Sequence, residues 1–165
     1  MSHREDIEKI LVQEQVLVFD AFDEAAAFEL GSRIRDIAVR EGLGVAIEGG
    51  LWDRRLFYAV TSGATADNQE WVRRKFNVVR RFHASTYRLA LEQDRADRMF
   101  PPHRALDVAD YALAGGGFPI RVKGVGVIGA VIVSGLPQRE DHNLVVRALA
   151  EMLEADADEL ALPPR

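Results

Sequence analysis

The spacing of apolar side chains changes several times along the chain, and its first part predicts two helices. Residues 5–19, EDIEKILVQEQVLVF, repeat apolar positions at helical spacing, with Ile7, Ile10, Leu11 and residues 14–17 on one side. Asp23 is suited to cap the next helix because its carboxylate accepts backbone N–H bonds. Gly42 is expected to end that helix, since glycine readily adopts the left-handed conformation found there.

The short apolar runs that follow predict two pairs of strands. LGVAIE and RLFYAV lie on either side of Gly49-Gly50 and predict a hairpin. GGGFPIRV and GVGVIGAVIVSG predict a second pair, joined near Lys123-Gly124. The GVGVIG run lies inside an apolar strand and opens no helix, so it does not indicate a dinucleotide site.

Further helices separate and follow these strands. Asp67 and Glu70 have the spacing of a capping box, so a helix is expected from about Asn68. It should continue, with a break, through HASTYRLALEQ, before an irregular segment at residues 94–107. The last helix is expected to begin near Pro137, and ALPPR is predicted to be a frayed tail.

This order of elements predicts one domain over residues 1–165. Hairpins joined by helices indicate an α/β (α+β) fold, in which helices cover a mainly antiparallel sheet. A parallel dinucleotide-binding sheet would need strands and helices that alternate one by one, and this chain lacks that order.

Charge and composition exclude several classes of protein. The net charge is −5, which disfavours general nucleic-acid binding, although residues 71–81 carry five bases and no acid. No apolar run reaches the ~20 residues of a membrane helix, and the start lacks the pattern of a signal peptide. The absence of cysteine excludes disulfides and thiolate metal sites. A cytoplasmic protein with no nucleic-acid or membrane partner is therefore expected.

Lys75 interrupts the apolar stripe of the basic helix. At about 100° per residue, one sector of that helix contains Trp71, Lys75, Val78 and Phe82. Thr86 would join this sector if the helix continued, and Ser85 would border it. A lysine on such a stripe extends its amine to solvent, pairs with an acid, or binds a ligand with a pKa lowered by burial. The sequence leaves these alternatives open.

The pair Asp141-His142 opens the last helix. Asp141 falls on the buried stripe of that helix, whereas His142 lies about 100° away, so the two do not form a mutual acid–base dyad. Acids at a helix start also favour the positive end of the helix dipole, which by itself explains Asp141. The four histidines have no metal-ligand spacing, so no metal site and no catalytic residue is assigned.

Three stretches together resemble the haem-degrading-domain family, also described as GlcG/HbpS-like. They are NQEWVRRKFNVVRRF, DYALAGGGFPIRV and GVIGAVIVSGLPQREDHNLVV, and the resemblance extends over about residues 5–155. The branch that this chain resembles consists of small stand-alone proteins of unassigned function. The resemblance implies a profilin- and roadblock-like antiparallel sheet of about five strands flanked by helices. It also implies a homo-oligomer, often built from dimers.

The resemblance further implies which residues are characteristic of the family: Trp71, Arg74, Lys75, Gly116, Gly117, Phe118, Pro119, Ser134, Gly135, Asp141 and His142. Some relatives bind haem and have been linked to its degradation, so haem is one cofactor that the resemblance allows. The branch often has histidine where this chain has Ala84, before Ser85 and Thr86, and again where it has Ala114. Both imidazoles that could bind iron are therefore absent.

These observations favour a small ligand pocket between the basic helix, the GGGFPI loop and the start of the last helix. Lys75 and Arg74 would hold an anionic group, either a haem propionate or a small organic acid. Gly116, Gly117 and the rest of that loop would supply N–H donors, unless the glycines form only a turn. Asp141 or His142 would orient the ligand, and Ser85 or Thr86 would contribute weakly.

Two other classes of function remain as alternatives. One is an enzyme that acts on a small organic acid with Lys75 as its base or nucleophile. The other is a structural or adaptor oligomer without turnover, in which the same residues hold subunits together. The two differ in whether a change at Lys75 abolishes turnover or breaks the oligomer.

Overall fold

The computed structural model describes residues 2–165, which form the helices and strands in nearly the predicted order. Two helices come first, α1 (His3–Val16) and α2 (Glu24–Glu41), followed by strands β1 (Ala46–Leu51) and β2 (Arg55–Val60). Helices α3 (Ala66–Phe82) and α4 (Thr86–Gln93) precede a 3₁₀ turn (Pro102–Arg104). Strands β3 (Gly117–Val122) and β4 (Gly126–Ser134) lead into α5 (Gln138–Met152) and the short α6 (Ala157–Leu160).

The four strands form one antiparallel sheet in the order β2-β1-β4-β3. Both predicted hairpins are confirmed, and the sheet has four strands where the family resemblance implied about five. The first hairpin turns after Leu51 and not at Gly49-Gly50, because both glycines pair within β1. The central strands β1 and β4 hold the sheet together, and β2 is left as one of its edges.

Helices cover both faces of this sheet, as the antiparallel pattern predicted. Along β4, Val131 and Val133 face the core that α2 and α5 close. The alternate residues Ala130 and Ile132 pack with Val72 of α3 on the opposite face. The strand is therefore buried on both sides, which explains its nearly continuous apolar sequence.

Most helix ends follow their sequence signals, with one shift. Asp23 caps α2 by accepting a hydrogen bond from the Ala26 N–H, and Gly42 ends that helix in the left-handed conformation. Helix α3 begins at Ala66, before the predicted start, because Thr65 is the N-cap and its N–H donates to Asn68 Oδ1. The predicted break is confirmed at His83, whose φ is 52°.

Helix α1 buries Ile10 of the side that the sequence predicted, and it buries several polar side chains beside it. Leu11 is exposed, whereas Asp6, Gln13 and Glu14 are buried together with Ile10. Asp6 accepts from Arg139 of α5 at 2.8 Å, and Glu14 accepts from Arg88 of α4 at 2.6 Å. The helix is therefore attached largely by charge-assisted hydrogen bonds, which the period of its apolar residues does not reveal.

The prediction that ALPPR forms a frayed tail is wrong, because this C-terminal segment packs against α1 and α5. Leu162 is buried beside Ile10 and Tyr87. Its N–H donates to Asn143 Oδ1, and Arg139 Nε donates to the Pro163 carbonyl at 2.7 Å. Among residues 2–165, no helix combines the length and the apolar character that a membrane crossing requires.

We expect Leu162→Ala to lower the free energy of unfolding by about 3 kcal/mol, since it leaves a cavity where a buried side chain stood. Leu162 is 2% exposed. Val125→Ala serves as the control, because Val125 is 70% exposed and its truncation should cost less than about 0.5 kcal/mol. Urea unfolding of both variants measures the difference. Equal effects of the two substitutions would contradict the packed tail.

His142 lies within the polar contact between α5 and α1. Its ring is 1% exposed and packs near Tyr87 and Phe118. Nε2 lies 2.7 Å from Gln13 Oε1, and the Gln13 amide nitrogen donates to the Leu160 carbonyl, so His142 donates through Nε2. Nδ1 has no partner among the described residues. Burial lowers the pKa of His142 to about 3, because the interior disfavours the imidazolium.

This burial predicts a loss of stability in acid. Between pH 6.5 and about pH 3 the unfolded chain protonates this histidine, whereas the folded chain does not. The stability contributed by neutral His142 is complete above pH 6.5 and decreases as the pH falls. From pH 7 to pH 5, wild type should lose about 2 kcal/mol more than His142→Phe in urea unfolding. Parallel losses in the two proteins would show that His142 does not titrate in this way.

Candidate functional site

A cavity of about 200 Å³ opens at the end of β4, where the chain turns into α5. Its lining combines α3, the turn after β4, the start of α5 and the irregular segment before β3. The lining residues are Asn68, Trp71, Lys75, Arg98, Ala114, Ser134, Gly135, Leu136, Gln138 and Asp141. The cavity therefore lies in the region where the sequence predicted a pocket, with a partly different set of residues.

Lys75 lies in this cavity as a buried and paired amine. It is 2% exposed, and its Nζ lies 3.2 Å from Asp141 Oδ2 and 2.9 Å from the Val133 carbonyl. The amine thus does not extend to solvent, which was one of the alternatives. Burial lowers the pKa of Lys75, and the carboxylate of Asp141 opposes that shift.

Asp141 completes the pair from the opposite helical layer. Its Oδ1 accepts the Leu136 N–H at 3.0 Å, so the carboxylate also fixes the turn between β4 and α5. Burial raises the pKa of Asp141 to about 6, although the ammonium of Lys75 and the backbone N–H groups act in the other direction. Asp141 contacts α3 while His142 contacts α1, which agrees with their separation of about 100° on the helix.

Gly116 makes the close approach of Lys75 possible. Its φ is 124°, a conformation that residues with a side chain rarely adopt. A Cβ at this position would lie 2.2 Å from the Val133 carbonyl oxygen and 2.9 Å from Lys75 Nζ. The glycine therefore provides space for the two groups that fix the amine.

The glycine loop does not offer the free N–H donors that were predicted at Gly117. The N–H of Gly117 donates to Thr86 Oγ1 at 2.9 Å, and the N–H of Gly115 donates to Gln138 Oε1 at 3.2 Å. Thr86 thus acts through its contact with the loop and does not line the cavity. These bonds join α4, the loop and α5 around the cavity.

Several other predicted site residues lie outside the cavity lining. Arg74 donates to the Val108 carbonyl through Nε and Nη2, and its guanidinium lies over the Trp71 ring. Ser85 caps α4. Phe118 and Pro119 are buried within β3, and His142 belongs to the contact with α1. The structure brings together Lys75 and Asp141 from the predicted set, with Gly116 against them.

Arg98 is the cavity residue that the sequence did not single out. It belongs to the irregular segment, has a φ of 56°, and is held by the hydrogen bond from the Leu113 N–H to its carbonyl. Its positive charge contributes to the lowered pKa of Lys75. Arg98 is exposed, and within residues 2–165 its guanidinium has no hydrogen bond or ion pair. No periodic pattern marks such a residue, so only the folded chain identifies it.

The charges that line the cavity sum to one positive charge. Lys75 and Asp141 cancel each other, because the pair is neutral whether the proton lies on nitrogen or on oxygen. Arg98 is the one remaining charged group in the lining. No group of three or more histidine, cysteine or acidic residues suited to a metal occurs in the part of the chain that the structure describes.

Known proteins are similar to this chain in sequence and in fold. A UPF0303 protein of Brucella melitensis biotype 2 (strain ATCC 23457) is 71% identical over 162 residues, covering 98% of this chain and 96% of the relative. The crystal structure of the Ybr137w protein matches with a TM-score of 0.81 and 27% identity, over 90% of this chain and 87% of that one. The structure of a PduOC:Heme complex matches with a TM-score of 0.65 and 16% identity, over 81% and 94%.

The family comparison covers most of the described elements. The model of the haem degrading protein HbpS-like family matches residues 22–150, from the start of α2 through nearly all of α5. This range contains Lys75, Asp141 and the remaining cavity lining. The chain therefore belongs to the HbpS-like family of haem-degrading proteins.

Proposed function

We propose that the cavity binds a small carboxylic acid as a monoanion. The observation that carries the proposal is the unpaired guanidinium of Arg98 at a cavity whose other charges, on Lys75 and Asp141, cancel. A carboxylate would neutralise the positive charge of Arg98 and accept charge-assisted hydrogen bonds from its guanidinium. Asn68 and Gln138 add neutral polar groups to the lining, and Trp71 adds an aromatic wall.

The size of the cavity favours an acid of a few carbon atoms. Sites for drug-sized ligands have volumes of about 300–1,000 Å³, whereas this cavity measures about 200 Å³. A monoanion is favoured over a dianion because the lining offers one uncompensated positive charge. The proposed ligand is therefore small, singly charged and partly apolar.

Haem does not fit this cavity. Its macrocycle exceeds the ligands that a cavity of about 200 Å³ encloses. Protein ligands of haem iron are histidine, cysteine, methionine or tyrosine side chains, and the lining contains none of them. Ala114 stands in the lining where relatives in the branch often have histidine. The residues that line this cavity therefore do not suit haem, although the family is linked to it.

The adaptor alternative loses support from the position of the pair. Lys75 and Asp141 are buried against each other within one chain, so they are not available to join subunits. Self-association is better supported at the edge strand β2, whose outer backbone groups have no strand partner within residues 2–165. Phe28 and Val60 are exposed large apolar residues, and Phe28 packs against Phe57 of this strand. We propose that a second copy of the chain pairs there.

Sedimentation of the purified protein tests this pairing. Wild type should sediment as more than one chain, and Val60→Glu combined with Phe28→Glu should reduce the mass, since charges on an edge strand oppose pairing. The control is Val125→Glu, which alters an exposed residue of the β3–β4 turn. A monomeric wild type would contradict the proposal, as would a mass that the double variant leaves unchanged.

Thermal shift and calorimetry with defined acids test the ligand. Pyruvate and lactate should raise the melting temperature, because a ligand that binds only the folded state stabilises it. Lactamide, which lacks the charge, should have no effect. Arg98→Ala should weaken binding about tenfold or more, as expected for the loss of a charge-assisted bond. Arg40→Ala, which removes an exposed arginine of α2 that is not part of the lining, is the matched control.

Two results would contradict the proposal. One is equal binding by wild type and Arg98→Ala, which would place the acid elsewhere. The other is a saturable shift of the haemin absorbance band at one haem per chain that is lost in Arg98→Ala, which would assign the cavity to haem.

A further inference from the structure

The position of the Lys75 amine suggests a chemical role within the proposed binding site. Two acceptors hold Nζ, the Val133 carbonyl at 2.9 Å and Asp141 Oδ2 at 3.2 Å. Both belong to the wall of the cavity, and Lys75 itself is part of the lining. The amine is therefore fixed at a point that a bound molecule can reach.

The second relevant feature is that Arg98 and Lys75 line the same cavity. Arg98 provides a free positive charge for a carboxylate, and Lys75 provides a nitrogen that can act as a nucleophile. A carbonyl group reacts with an amine, and a carboxylate binds a guanidinium. A ligand that uses both residues therefore has a carbonyl next to a carboxylate. Small 2-oxo acids have this arrangement, and they are monoanions at neutral pH.

We infer that Lys75 forms an imine with a small 2-oxo acid whose carboxylate is held by Arg98. This inference rests on the proposed binding of a small carboxylate and adds the class of the ligand and a covalent step. Asp141 is the proton carrier for that step, since it contacts the reacting nitrogen directly.

The step balances without any further reactant. The neutral amine of Lys75 attacks the carbonyl carbon, a C–N bond forms, and the π electron pair moves to oxygen. Asp141, which carries the shared proton when the amine is neutral, donates it to that oxygen and then accepts a proton from the nitrogen. It donates this second proton to the resulting hydroxyl group, which leaves as water, and finally takes the remaining proton from the nitrogen. The nitrogen lone pair then forms the C=N bond, so that the acid and the lysine become an imine and one water.

The electrostatics of the pair are suited to this chemistry. Burial lowers the pKa of Lys75, which increases the fraction of neutral amine, the form that attacks carbonyl groups. The pKa of Asp141 is raised to about 6, so this carboxyl group can gain and lose a proton near neutral pH.

Reduction with borohydride tests the inference on the intact protein. The chain contains three lysines, Lys9, Lys75 and Lys123, so peptide mapping by mass spectrometry can assign a reduced adduct to one of them or to the N-terminus. Incubation with pyruvate and cyanoborohydride should add to Lys75 the mass of one pyruvate, less one water, plus two hydrogens. Lactate has no carbonyl at that carbon and should leave the mass unchanged.

Variants separate a site-directed adduct from general modification. Lys123→Arg, at an exposed lysine, should retain the full adduct at Lys75. Arg98→Ala should lower the adduct at Lys75 about tenfold at the same pyruvate concentration, because the carboxylate loses its partner. Wild-type protein carries the decisive result, so the conclusion does not depend on the folding of a Lys75 variant.

The outcomes distinguish failure of this step from failure of binding. Pyruvate that raises the melting temperature but leaves Lys75 without an adduct would overturn the imine and keep the carboxylate site. Absence of both the thermal shift and the adduct would overturn both. Equal labelling of Lys9, Lys75 and Lys123 would also overturn the inference, because it shows reaction without a site.

Discussion

The buried ion pair between Lys75 and Asp141 is the interaction on which the arrangement of the domain depends. Removing two charges from water costs several kcal/mol for each ion, and the pair is retained only where further hydrogen bonds satisfy both partners. Here the Val133 carbonyl accepts from the amine, and the carboxylate accepts from the Leu136 N–H. The pair joins α3 on one face of the sheet to α5 on the other, across the end of β4. Because it requires close backbone approach, it also accounts for the glycine at position 116.

The first turn of α5 divides its polar residues between two different tasks. Asp141 turns toward α3 and the cavity, whereas Arg139 and His142 turn toward α1. The contact with α1 satisfies its polar groups almost completely within the chain, with His142 Nδ1 as the buried atom without a partner among the described residues. The cavity differs because the guanidinium of Arg98 remains unpaired there. Arg98 is exposed and can exchange water for a ligand, which is the reason that the proposed ligand is placed beside Asp141 and not beside its neighbour.

The sequence predicted the helices and strands, which depend on local spacing. It did not predict the contacts between residues that are distant in the chain. Asp23 and Gly42 marked α2 correctly because caps are local signals. Lys75 was conspicuous because it interrupts an apolar stripe, but its partner is 66 positions away and no spacing rule connects them. Arg98 was missed because it lies in an irregular segment, where no pattern separates a ligand-binding arginine from a solvated one. The buried polar residues of α1 were missed, since Arg139 of α5 donates to Asp6 and the Leu160 carbonyl of α6 accepts from Gln13.

Membership in the HbpS-like family establishes the fold, whereas the chemistry of the cavity depends on individual residues. The family resemblance implies histidine at two positions that alanine occupies here. Ala114 lines the cavity, and its methyl group leaves the amine, the carboxyl group and Arg98 as the reactive and charged groups present. Ala84 packs with Val78 and Leu113 in an apolar cluster, so an imidazole there would have to be accommodated in the core. An alanine at each position offers no iron ligand, whereas the lining contains the paired amine and carboxyl group of Lys75 and Asp141. The family therefore accounts for the fold, and the ligand proposed for the cavity follows from these residues and Arg98.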